Sequence, residues 1–271
     1  MDSQNKSCEH STTTAHVNHN DGLQSSRASS SLSSSASDEH GKNCIDRIAN
    51  NIQSAKDDWK TVSILCHELR HSTSNWTAWV QAQISACASF QVTRNDMAVM
   101  NAKLDVMGIC FDIVELTVAS NSAIINFFET SSEDWGTVLE MLSCISDGTT
   151  TTHTSTTTAN LATLKILDDM AFAASQHTKL LANIASSNRT TLNDLENLAG
   201  SFFRETPSLS SSSSSPTSLS YVPREMQEQM GSLSIRLSVG LMMIVSTSRK
   251  WNLSRRNQWA RILDDQRIIS S

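Results

Sequence analysis

Three prolines in 271 residues, all between 207 and 223, and only eight glycines leave this chain few places to turn sharply. A β-rich fold needs such residues at its hairpins, so their scarcity argues against a sandwich or barrel and for long helices. Apolar residues make up 38% of the chain and aromatics 5%, too few for a core drawn from the whole length. The six cysteines, at 8, 44, 66, 87, 110 and 144, include no C-x-x-C pair, which points to free thiols rather than disulfides or a zinc ribbon. The longest apolar run, 233–245, contains Arg236 and is shorter than the roughly 20 residues of a membrane helix. The start, MDSQNKSCEHSTTT, lacks the apolar segment of a secretory signal. The phosphate-loop G-x-x-x-x-G-K-[S/T], G-x-G-x-x-G and G-x-S-x-G patterns are also missing, which removes several sequence-readable enzyme classes. These absences lead to the expectation of an all-α protein, intracellular (cytoplasmic or nuclear), with no membrane span.

What is present comes in blocks. Residues 1–43 read as a disordered serine-rich arm, centred on SSRASSSLSSSASDEH, in which Ser29 and Ser35 are candidate phosphorylation sites. From Ile45, steps of three and four residues meet Ile48, Ile52, Ala55, Trp59, Val62, Cys66, Leu69, Thr73, Trp76 and Val80, and continue through Gln83 and Cys87 to Phe90. A stripe repeating every 3.5 residues suits a coiled-coil seam, or equally one long helix of a bundle. At TRND (93–96) the register breaks, as a stammer or as a tight turn folding a hairpin. It resumes as Met97, Met100, Leu104, Met107, Phe111, Val114, Val118, Asn121, Ile125 and Phe128.

A short helix is expected over 131–148, capped by Ser131 or Ser132 and ended by Gly148. The Thr-rich segment 149–158 is expected to be a loop, and 159–203 a further helix with a break near SSNR. The whole of 44–206 is thus read as a helical oligomerisation or bundle domain. Residues 207–222 read as a Ser/Pro linker, and 223–271 as a small basic module of two or three short helices. That last segment carries a net charge of +4, whereas 1–222 carries −10.

One short string carries chemistry. His67-Glu68-Leu69-Arg70-His71 has the H-E-x-x-H spacing, which puts two imidazoles one helical turn apart with a carboxylate beside them. HELRHSTSNWTAW resembles the zinc helix of the thermolysin family, whose HELTH is followed by Tyr-Thr-Ala where this chain has Trp76-Thr77-Ala78. The resemblance implies zinc on His67 and His71, with Glu68 as the base. It covers about a dozen residues and then departs: residues 72–96 hold no glutamate or histidine for the third ligand, which catalytic zinc normally requires. HELR also resembles the phosphoacceptor box of sensor histidine kinases, with His67 as acceptor, although the proline that follows there is absent. If Cys66 and Leu69 take the a and d positions of the heptad, then His67, Glu68 and His71 face water.

The sequence therefore reads first as a non-enzymatic scaffold with no cofactor. It would self-associate through a seam at Ile52, Trp59, Val62, Leu69 and Trp76. It would dock an acidic protein or nucleic acid through Arg249, Lys250, Arg255, Arg256 and Arg261. In layout this is similar to the polymerase-cofactor phosphoproteins of negative-strand RNA viruses, which join a disordered arm, an oligomerising helix and a compact carboxyl-terminal domain. The alternatives are the zinc peptidase and the His67 phosphotransfer hairpin.

Overall fold

The computed structural model describes residues 32–88, 94–147, 154–205 and 222–270, with side-chain surroundings for 41–88, 97–143, 161–204 and 222–264. Four α-helices account for them: α1 (Leu32–Ala88), α2 (Arg94–Asp147), α3 (Thr154–Glu205) and α4 (Arg224–Ser270). The expected all-α class holds, and there is no strand among the described residues. The helices can be this long because no proline lies inside any of them. α3 stops two residues before Pro207, and α4 starts directly after Pro223. The Pro223 carbonyl accepts the first helical bond, from the Gln227 N–H at 3.1 Å.

From His40 onward the chain forms one compact unit. Helix directions follow from paired residues. Asn121 on α2 donates to the Cys66 carbonyl of α1 at 3.1 Å, and Trp59 stacks on Phe128, so α1 and α2 are antiparallel. Arg47–Asp168, Glu68–Arg189 and Trp79–Phe203 advance together, so α1 and α3 are parallel. Asn188 donates to Ser120 at 2.9 Å while His177 meets Phe127, and Arg236 reaches Asp194 at 3.2 Å while Trp251 meets His177, which makes α2 and α4 both antiparallel to α3. The chain runs up, down, up, down. At one level of the bundle α1 and α4 each lie against both α2 and α3, so they occupy opposite grooves of that central pair. Gly240 permits the close approach of α4 to α3, since a Cβ there would sit 3.2 Å from Ile184 Cγ2.

The core has two apolar halves. One joins Ile48, Ile52 and Val62 of α1 to Ile124, Leu167, Ile244 and Trp251; the other joins Leu69 and Val80 to Val106, Ile113, Leu195 and Leu237. Between them lies a buried polar level that includes Ser120, Asn121 and Asn188. Its hydrogen bonds, Asn121 to Cys66 and Asn188 to Ser120, are satisfied only when the helices align at one offset, so they set the register of the bundle.

Several details differ from the sequence reading. Leu32–Asn43, assigned to the arm, are the first turns of α1; residues 1–31 lie outside the described residues. The register break is a hairpin, since α1 ends at Ala88 and the antiparallel α2 begins at Arg94. Ser131 and Ser132 cap nothing: α2 runs through them, and their hydroxyls donate to the carbonyls of Phe128 and Glu129 at 3.1 Å. α3 likewise crosses SSNR unbroken and begins at Thr154, inside the segment expected to be a loop. The C-terminal segment is one 47-residue helix rather than two or three. It contributes to both halves of the common core, and even Val222, read as linker, is buried there.

The stripe assigned to α2 is half displaced. Met107, Val114 and Asn121 are buried, but Met97, Leu104, Phe111 and Val118 face outward. α2 packs against α1 through Asn121 and Phe128 and against α3 and α4, so its buried arc is wide and centres on Val106, Cys110, Ile113 and Thr117.

Candidate functional site

α1 and α3 run side by side, and the H-E-x-x-H residues lie in the groove between them. His67, Glu68, His71 and Trp76 from α1 face Arg189 and Glu196 from α3 across a cavity of about 390 Å³. The groove continues past Trp76 and Trp79 to Gly200 through a second cavity of about 370 Å³. Trp76 and Trp79 meet edge to face at 5.2 Å, and Trp79 meets Phe203 at 5.0 Å. Both histidines are exposed. Glu68 is bound to Arg189 at 2.8 Å, so the carboxylate that would act as base is already engaged by a guanidinium. Among the described residues, no three His, Cys, Asp or Glu side chains converge as a metal site needs. Glu115 and Glu129, the acids of α2 that might have completed one, are exposed. Among the described residues the two histidines find no third donor, whereas a catalytic zinc takes three. Arg189 and Glu196 were not readable as neighbours of His67, because only the parallel alignment of α1 and α3 brings residues so distant in sequence to one groove.

The residues expected to form an oligomer seam lie within the chain itself. Ile52, Val62 and Leu69 are buried against α2 and α3; Trp59 is half-buried on Phe128 and Trp76 half-buried at the groove. The stripe is occupied intramolecularly, which leaves it no free edge for another chain's helix.

The five basic residues of α4 expected to dock a partner separate into two kinds. Arg255 binds Asp134 of α2 at 2.9 Å, and Trp259 Nε1 donates to the same oxygen at 3.2 Å. The Asp134 side chain is 4% exposed and that of Arg255 28%. Burial pushes the Asp134 carboxyl above its ordinary value, and the attraction of Arg255 opposes this. Arg255 is thus a structural tie between α4 and α2 rather than a docking residue. Arg249, Lys250, Arg256 and Arg261 are exposed and form no ion pair among the described residues. Trp251 is not offered for stacking either, being buried edge-on against His177 at 5.2 Å. Burial lowers the His177 pKa.

Beside those four cations α4 presents an exposed apolar face that the sequence reading did not single out: Ile235, Val239, Met242, Met243 and Leu253. By length and composition, α2 and α4 each contain an 18-residue window apolar enough to cross a membrane. In α2 39% of that window is buried in the bundle, and in α4 only 22%. The signal for this face was legible as a second 3.5-residue stripe through Ile235, Val239, Met242 and Leu253, broken by Ser246 and Arg249, on the side of the helix opposite Met230, Leu233 and Leu237.

The buried thiols of Cys66 and Cys110 are poor nucleophiles. Burial raises the Cys66 thiol to about 11 and that of Cys110 to about 12, far from a reactive thiolate at neutral pH. Ser29 lies outside the described residues, and Ser35 is in the first turns of α1. No family model matches this sequence, and neither a curated protein nor a solved structure matches it.

Proposed function

We propose that this chain is a non-enzymatic interaction protein, a helical bundle that holds the outer face of α4 as its docking surface. The observation that supports this reading is the composition of that face. Apolar side chains as exposed as Met242 (71%) and Ile235 (66%) adjoin four cations without ion-pair partners among the described residues. A folded chain that leaves such a patch uncovered retains favourable free energy for a partner. The cations select for acidic groups, in a protein segment or a nucleic acid. The bundle contributes rigidity: α4 is tied to α2 by Arg255–Asp134 and to α3 by Arg236–Asp194, so docking needs little further ordering.

Fluorescence anisotropy with polyglutamate and with single-stranded RNA, across a salt series, tests the reading. Reversing Arg249, Lys250, Arg256 and Arg261 to glutamate should abolish binding to both probes while the melting temperature holds. With RNA the salt dependence of the intact chain should have a log–log slope of up to about −3 for four phosphate contacts. Binding indifferent to these reversals, or absent altogether, would remove the acidic partner.

A further inference from the structure

We propose that the outer face of α4 pairs antiparallel with the same face of a second copy of this chain. The inference rests on reading that face as the docking surface, and it names the partner. Three observations carry it.

First, α4 has two seams on opposite sides. The inner one, through Met230, Leu233, Leu237 and Ile244, is filled by the chain's own bundle. The outer one has the 3–4 spacing of a helix that meets another helix through Ile235, Val239 and Met242, is interrupted by Ser246 and Arg249, and ends on Leu253. The outer face of α1 is mostly polar by contrast, with Lys56, Asp57, Lys60, His67, Arg70 and His71 around the exposed Ile64.

Second, charge on α4 is uneven along the helix. Glu225 and Glu228 are exposed near its start, where Arg224 pairs with Glu228 at 2.8 Å in a solvent-exposed contact, whereas Arg249, Lys250, Arg256 and Arg261 are exposed further along without ion pairs among the described residues. A two-fold axis between Val239 and Met242 sets Val239 against Met242 of the partner subunit. It also sets Arg256 against Glu225 of the partner subunit, and Lys250 within one turn of the partner's Glu228. Parallel pairing would stack cation on cation, so the charges specify direction as well as attraction.

Third, the face is poorly made for a lipid surface. It carries no exposed tryptophan to anchor it at a membrane interface, since Trp251 is buried and Trp259 is bonded to Asp134. The contact is one helix wide, which places it among small, reversible interfaces.

Sedimentation velocity of the full chain, from about 2 to about 200 µM, reads the association over the range expected of such an interface. The mass should double across that range. Val239→Glu with Met242→Glu should hold the chain monomeric throughout, with its helical circular dichroism and melting unchanged. Lys250→Glu with Arg256→Glu should weaken association about tenfold, and adding Glu225→Arg with Glu228→Arg should restore it. A monomer at every concentration overturns the proposal, as does an oligomer indifferent to the apolar pair of substitutions. Flotation with phosphatidylserine vesicles supplies the other occupant: a monomer that binds them, and stops doing so in Val239→Glu/Met242→Glu, overturns self-pairing in favour of lipid. If the chain stays monomeric yet binds polyglutamate or RNA through the four cations, self-pairing alone falls. If neither association nor probe binding responds to any α4 variant, the docking face falls with it.

Discussion

Replacing Leu69 by alanine separates a core residue from a residue of an oligomer seam. Leu69 is 1% exposed and belongs to the half-core built with Val106, Ile113, Leu195 and Leu237. Its truncation removes buried methyl groups and leaves a cavity that long, mutually packed helices cannot readily collapse, at a cost of about 2–5 kcal/mol. For a domain of this size each kcal/mol lowers the melting temperature by about 2–4 °C, so a fall of about 5–20 °C is expected. Because the neighbours of Leu69 belong to the same chain, that fall should be the same at protein concentrations about fifty-fold apart. Stability held across a seam between chains would instead change with concentration by mass action. Ile64, on the same helix but 61% exposed, is the internal control, and its alanine variant should stay within about 0.5 kcal/mol of the parent. Thermal melts at two concentrations, with light scattering on the same samples, give the readout. A Leu69→Ala protein that melts like the parent but loses mass would refute the intramolecular assignment.

Three further expectations concern buried and exposed charge. Arg255→Ala should cost more, about 3 kcal/mol, than Asp134→Ala at about 1–2, because it strands a carboxylate at 4% exposure whereas Arg255 at 28% can still reach water. The deficit of Arg255→Ala should shrink as pH is lowered and Asp134 takes a proton; equal costs for the two variants at neutral pH would contradict the tie. His177 is half-buried between Phe127 and Trp251, and desolvation lowers its pKa. The unfolded chain therefore takes up the proton first, and the stability this group contributes is present above about 6.5 and lost as pH falls through the folded value. Urea midpoints of the parent minus those of His177→Phe, followed from pH 7.5 to pH 5, should decline; a flat difference refutes the burial argument. The double variant His67→Ala/His71→Ala should change stability by less than about 0.5 kcal/mol, since both side chains are exposed. Glu68→Ala should cost under about 1 kcal/mol for a surface ion pair. Zinc retained one-to-one through purification, and lost in the histidine double variant, would reinstate the metal reading.

Where the sequence reading departed from the structure, the reason is usually packing at a distance. Ser131, Ser132 and SSNR are local signals for helix ends, but at these positions helix propensity yields to burial of the flanking faces, Phe127 to Val138 and Ile184 to Leu192. The α2 stripe was placed by a heptad rule suited to a helix with one neighbour, and α2 has three. The five α4 cations expected to dock a partner are alike in sequence; that Arg255 is the one of them tied down depends on Asp134, more than a hundred residues away. The H-E-x-x-H string was legible, but its meaning rested on what faces it, and that proved to be Arg189.

What the sequence by itself determined is therefore what depends on nearby residues. Helical class follows from the missing prolines and glycines. The buried faces of α1, α3 and α4 follow from 3.5-residue periodicity that Ile52, Leu167 and Leu237 each obey. Only the tertiary structure decided whether the α1 stripe was spent on its own chain, which cation bound which acid, and which apolar stripe stayed uncovered. Periodicity specifies that a helix has a face to bury; the identity of the neighbour is set by the register of all four helices together, through Asn121, Asn188 and Ser120 at their shared polar level.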